Sequence, residues 1–157
     1  MSESVPKQKT TAHPLLLNAD EFQRIMDVRL PFAQVMGLKV DYFKGDHVRL
    51  KALYDEKFLR PGGTISGPIM MALADAAIYA LLLSRIGPVE LAVTTQLSIN
   101  FLRKPEPADI FADARMLKLG KRLAVAEASL FSELQGAHEP VAHATATYSI
   151  PPPESRL

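Results

Sequence analysis

Apolar residues fill almost every position from Ile69 to Ile86, whereas the segments after residue 88 alternate apolar and polar residues with a period of two. The first pattern predicts a helix buried on all sides, and the second predicts strands with one face inward. Ser66 stands at the N-cap of that helix, Pro68 sits in its first turn, where a missing N–H costs nothing, and Gly87-Pro88 ends it. Upstream, Asn18 or Asp20 caps a helix running to about Arg29, and "LPFAQVMG" adds a short helical turn ending at Gly37. "LKVDYFKGDHVRLKALY" then reads as a hairpin around Lys44-Gly45-Asp46, followed by the loop "DEKFLRPGGTI". Four more strands are expected in "VELAVTTQLSINFL", "DIFADARMLKL", "RLAVAEASLFSE" and "PVAHATATYSI".

Alternation in the last three strands places Ala112 and Ala114, then Ala124, Ala126 and Ala128, then Ala142, Ala144 and Ala146 on one face. Arg115, Glu127, Ser129, Thr145 and Thr147 take the other. A face of methyl groups lets another element approach closely, and the 69–86 helix, with Ala72, Ala76 and Ala80, is the element long enough to fill it. The expected architecture is α+β: a curved antiparallel sheet wrapped around one long central helix, the hotdog fold. Residues 15–150 form its single domain, between a disordered tail over 1–14 and a Pro-rich tail over 151–157.

Composition narrows the function classes. At 157 residues, 48% hydrophobic and 22% charged, the chain fits one soluble domain, and a formal charge of +1 offers no global field for nucleic acid. The absence of cysteine excludes disulfides, thiolate nucleophiles and Cys-ligated zinc. The four histidines have no metal-ligand spacing, so no metal is expected. The N-terminus lacks a signal-peptide core, and the 69–86 run, although long enough to span a bilayer, carries Asp75 and has no companion span. The expectation is a cytoplasmic protein with no membrane partner.

Asp75 is the anomaly in that run. An ionised carboxylate in apolar surroundings loses hydration worth several kcal/mol, so it needs a partner or a task. The residues around it carry a resemblance. From about Arg60 to Ile150, "RPGGTISGPIMMALAD", "AVTTQLSINFLRKP" and "GKRLAVAEASLFSELQGAHEPVAHATATYSI" resemble the small hotdog thioesterases of the phenylacetic-acid-pathway (PaaI-like) type. That family's motif has an Asn or Gln, a His-Gly-Gly opening the central helix, and an acid eight residues after the first glycine. By that resemblance Gly67 takes the first glycine, Asp75 the acid and Thr94 the strand Ser or Thr. The departures are Ser66 in place of His, Pro68 in place of the second Gly, Arg60 in place of the amide, and Tyr79 at the position that is Thr in some members.

The resemblance implies hydrolysis of an acyl-CoA thioester, with coenzyme A arriving as part of the substrate and no other cofactor. Asp75 would act as base or nucleophile, the Gly67 N–H at the positive end of the helix dipole would polarise the carbonyl, and Thr94 would hold water or Asp75. Arg60 is a candidate for the carbonyl or a substrate carboxylate; Arg103, Lys104, Lys118, Lys121 and Arg122 are candidates for the phosphates of coenzyme A. Met70, Met71, Tyr79 and Leu82 are candidates for an acyl pocket or plain core. Eight helical residues separate Gly67 from Asp75 by roughly 12 Å, too far for one thioester, so the site is expected to be shared between antiparallel helices of a homodimer, with a dimer of dimers beyond it. The competing readings are a non-catalytic acyl-CoA binder, a hotdog hydratase or dehydratase, for which no histidine lies near the helix start, and a structural carboxylate bonded to strand backbone or to Tyr79.

Overall fold

The computed structural model describes residues 13–156. Residues 1–12 of the expected tail, and Leu157, lie outside the described residues. Helix α1 (Ala19–Arg29) begins at Asn18 with a reciprocal cap: the Asn18 side chain accepts from the Glu21 N–H, and the Glu21 carboxylate accepts from the Asn18 N–H. A short α2 (Pro31–Val35) follows, and Gly37, at φ 60°, turns the chain into the hairpin of β1 (Leu38–Lys44) and β2 (His47–Ala52).

The loop after β2 holds more order than its sequence suggests. A 3₁₀ turn (Glu56–Phe58) leads into β3 (Leu59–Arg60) and β4 (Thr64–Ile65), a miniature hairpin closed by Gly62 and Gly63 at φ 98° and 74°. Strands of two residues are too short to show alternation, and only the two glycines mark the turn. Helix α3 (Gly67–Ile86) follows, ending at Gly87. Ser66 occupies the N-cap position, but its hydroxyl makes no capping bond.

The remaining strands are β5 (Val93–Phe101), β6 (Ile110–Leu119), β7 (Leu123–Ser132) and β8 (Ala142–Ser149). With β1 and β2 they make one antiparallel sheet in the order β1-β2-β6-β7-β8-β5. The alanine rows face inward as expected: Ala112, Ala114, Ala128, Ala142 and Ala144 are fully buried, and Ala114, Ala128 and Ala144 lie side by side in register. Helix α3 packs across β6, β2, β7, β8 and β5, with Leu73, Ala77, Leu81 and Leu83 fully buried. The helix is therefore the core of a hotdog fold, although its length and composition would also suffice to cross a membrane.

The two sheet edges differ. The edge of β1 is covered by α1, whose Gln23 side chain accepts from the Val40 N–H at 3.0 Å. The outer edge of β5 has no partner among the described residues. A nine-residue unpaired edge is a template for another strand.

Candidate functional site

The sheet leaves one stripe of α3 uncovered. Pro68 and Met71 are exposed on it, and Ala72, Asp75 and Tyr79 are half-buried, following the three- and four-residue spacing of one helix face. Asp75 lies midway along this stripe in a cavity of about 500 Å³, bounded by Ala72, Ala76 and Tyr79 of α3, by Leu30, Phe32 and Met36 around α2, and by Val93, Thr94 and Tyr148 of the sheet. Its Oδ1 atom accepts from the Thr94 hydroxyl at 2.8 Å and from the Tyr148 hydroxyl at 2.7 Å.

A β-bulge brings Thr94 to this position. On β5, Leu97 and Ile99 pack inward, so strict alternation would turn Thr95 inward and Thr94 outward. The register shifts between Thr94 and Gln96, leaving Thr95 as an extra residue, and Thr94 instead pairs with inward-facing Tyr148. Tyr148 continues the inward series of Ala142, Ala144 and Ala146 and is itself buried. Its ring stacks on Tyr79, centroids 6.1 Å apart, and Tyr79 in turn meets Phe22 of α1 edge-on. Tyr79 does not bond Asp75: its hydroxyl donates to the Glu90 carbonyl at 3.0 Å. Burial, with the charge of Glu90 next, pushes that hydroxyl up to about 12, so it stays protonated.

Gly67 opens into a different cavity of about 480 Å³, lined by Arg60, Thr64, Met70, Phe101, Arg103 and Lys104 among others. The β3–β4 hairpin sets Arg60 there, and the Thr64 hydroxyl donates to the Pro105 carbonyl at 2.9 Å, tying the hairpin to the loop that carries Arg103 and Lys104. Arg103 also donates to the Pro140 carbonyl. A Cβ added to Gly67 would come within 3.2 Å of the Phe101 ring, so the lack of a side chain lets the helix start sit against β5. An N–H at the first helical position has no intrahelical acceptor and lies at the positive end of the helix dipole.

The expected residues thus divide between two cavities: Asp75, Thr94 and Tyr79 in one, Gly67, Arg60, Arg103 and Lys104 in the other. Ser66, Pro68, Lys121 and Arg122 line neither. Arg122 instead donates to the Ile150 carbonyl at 2.8 Å and fastens the end of β8. Met70 borders the Gly67 cavity and Leu82 is core. Tyr148 escaped the sequence reading, although a tyrosine in an otherwise alanine inward row signals a buried hydroxyl in need of a partner. Among the described residues, no three His, Asp or Glu side chains converge to hold a metal ion.

Comparison with known proteins agrees with this fold. The thioesterase superfamily model matches residues 62–137, from the β3–β4 turn into the loop between β7 and β8. A crystal structure from Silicibacter sp. TM1040, provisionally named a thioesterase, superposes with a TM-score of 0.80 at 43% identity, covering 90% of this chain and 97% of the other. The chain belongs to the thioesterase superfamily. A variant of the phenylacetic acid degradation protein PaaI from Thermus thermophilus superposes at 26% identity with a TM-score of 0.67, covering 77% of this chain and 99% of that one. A Saccharolobus solfataricus protein provisionally named an esterase is 30% identical over 97 residues, covering 61% of this chain and 63% of its own length. Within this thioesterase framework, Asp75 and Gly67 line separate cavities of the one chain.

Proposed function

We propose that the protein hydrolyses acyl-CoA thioesters at two equivalent sites, each shared between the two subunits of a homodimer. The observation that carries this reading is the separation just described: a partnered carboxylate in an apolar-walled cavity, and a helix N-terminus in a basic one, in the same chain.

The unpaired edge of β5 supplies a way to join them. Antiparallel pairing of β5 with its copy, about a two-fold axis at Ser98 and with the bulged Thr95 left out of the ladder, sets Thr94 of one subunit opposite Phe101 of the other. Thr94 bonds Asp75, and Phe101 packs on Gly67, so that register brings each carboxylate to the other subunit's helix start. Exposed apolar residues at both ends of the strand, Leu91 and Val93 at one and Phe101 and Leu102 at the other, would be covered by the same contact.

In the shared site the Gly67 N–H polarises the thioester carbonyl and holds the developing oxyanion. Asp75 either takes a proton from the attacking water or attacks the acyl carbon itself. Arg60, Arg103 and Lys104 suit the phosphates of coenzyme A, and the apolar wall of the Asp75 cavity suits the acyl group. Thiol release from short, medium, long and aryl acyl-CoAs tests the reading. Turnover of at least one class supports it; a tightly bound acyl-CoA that stays intact would make the protein a binding module instead.

A further inference from the structure

We propose that Tyr148 is a positioning residue for Asp75, and that it and Thr94 together occupy Oδ1 so that Oδ2 is the oxygen that reacts. The inference rests on the assignment of Asp75 as base or nucleophile and specifies how its carboxylate is aimed.

Two hydroxyls donate to the same oxygen, Thr94 at 2.8 Å and Tyr148 at 2.7 Å. A carboxylate oxygen has two lone pairs directed at such donors, so Oδ1 is saturated. No side chain among the described residues donates to Oδ2. The Tyr148 hydroxyl also lies 3.1 Å from the Asp75 main-chain carbonyl, so it fixes the carboxylate relative to the helix backbone rather than following it. The ring cannot swing away, because Tyr148 is buried and stacked on Tyr79. Burial first, and the Asp75 charge second, push the Tyr148 hydroxyl far above the ordinary tyrosine range, which keeps it a donor.

The chemistry then runs through one atom. In the base route a water O–H bond breaks, its proton goes to Oδ2, the water oxygen bonds to the acyl carbon, and the C–S bond breaks with its electron pair leaving on the thiolate. In the nucleophile route Oδ2 bonds to the acyl carbon, the same thiolate leaves, and water cleaves the resulting anhydride. Both routes need the carboxylate held in one rotamer, and Tyr148 and Thr94 hold it through its other oxygen, Oδ1.

Steady-state kinetics of Tyr148→Phe test this, because the ring and its packing remain while the donor is lost. The expected result is a kcat lower by roughly 10- to 100-fold, the scale of one hydrogen bond to a charged group, with KM changed by no more than about two-fold. In an Asp75→Asn background the same substitution should have no further effect, since Tyr148 acts only through that carboxylate. Thr94, exposed on an edge strand, gives a second variant with little risk to folding: Thr94→Val should lower kcat on a similar scale and Thr94→Ser should restore it. A merely structural Tyr148 would lower the melting temperature and leave kcat of the folded protein unchanged, which would overturn the proposal. If Asp75→Asn itself keeps full activity, the catalytic assignment fails instead, so the two failures are distinguishable.

Discussion

Asp75→Asn is expected to lower kcat on acyl-CoA substrates by roughly 10²- to 10⁴-fold, the range of a positioned acid–base group, while leaving KM and the fold nearly unchanged. Asparagine has the shape of aspartate, and its amide oxygen can still accept from Thr94 and Tyr148. The cluster under α3 therefore survives. The amide nitrogen, standing where Oδ2 stood, neither takes a proton nor attacks a carbonyl carbon. Thiol release, circular dichroism and size-exclusion chromatography on the same preparation check the three parts of this expectation. An asparagine variant with wild-type kcat would reduce Asp75 to a structural carboxylate, held by two hydroxyls for the sake of packing alone.

The second large effect concerns the fold that carries the site. Ala128→Leu is expected to destabilise the protein by about 2–3 kcal/mol, because overpacked cores force off-rotamer side chains and backbone shifts. Ala128 is fully buried, and so are its neighbours in register, Ala114 and Ala144. Helix α3 lies against this face and presents the fully buried Ala74, Ala77 and Ala80 of its own. For a chain of this size such a change lowers Tm by roughly 4–12 °C. Protomer concentration must be held fixed, since association would make Tm concentration-dependent. Leucine at neighbouring Ser129, on the outward face of the same strand, should change stability by no more than about 0.5 kcal/mol. Equal melting temperatures for the two variants would mean that helix and sheet are not in close contact through the alanine face.

How far the sequence led follows from which physical signals are local. The alanine rows, the all-apolar helix and the hairpin at Gly45 are periodic patterns, and each appears in the structure where the pattern placed it. The β3–β4 hairpin is only two residues deep and has no period to detect, so the mechanism that brings Arg60 beside Gly67 was invisible. Thr94 is a sharper case. Strand alternation alone would have turned it away from the helix, and only resemblance to other thioesterases singled it out. The bulge at Thr95 that reverses its direction leaves no sequence signature, because the extra residue is a second threonine directly after Thr94 and no glycine marks it. Tyr148 was legible in principle from its parity with the alanines. The carboxylate it bonds is 73 residues away, and that pairing exists only once β8 has docked on α3.

The β5 edge combines both kinds of information. Its length and alternation are sequence features, but its freedom is a property of the topology, which covers β1 with α1 and leaves β5 open. That asymmetry gives the distance argument from Gly67 to Asp75 a structural route: the two groups are apart in one subunit, and the open edge is where a second subunit would bring them together.

The most direct test of the shared site is complementation between two inactive variants. Asp75→Asn removes the carboxylate, and Gly67→Pro removes the N–H while its φ still suits the first turn of a helix. The proline ring presses on Phe101, which must give by a few tenths of an ångström. Differently tagged copies of the two variants are mixed, dissociated and reassociated, and thiol release is measured alongside the fraction of heterodimer. If each site takes Asp75 from one subunit and Gly67 from the other, half of the dimers carry both variants, and each of those has one intact site. Activity should then rise from near zero to about a quarter of the wild-type value. Heterodimers that form in that proportion and remain inactive would contradict the account, placing both groups in the service of a site within one chain.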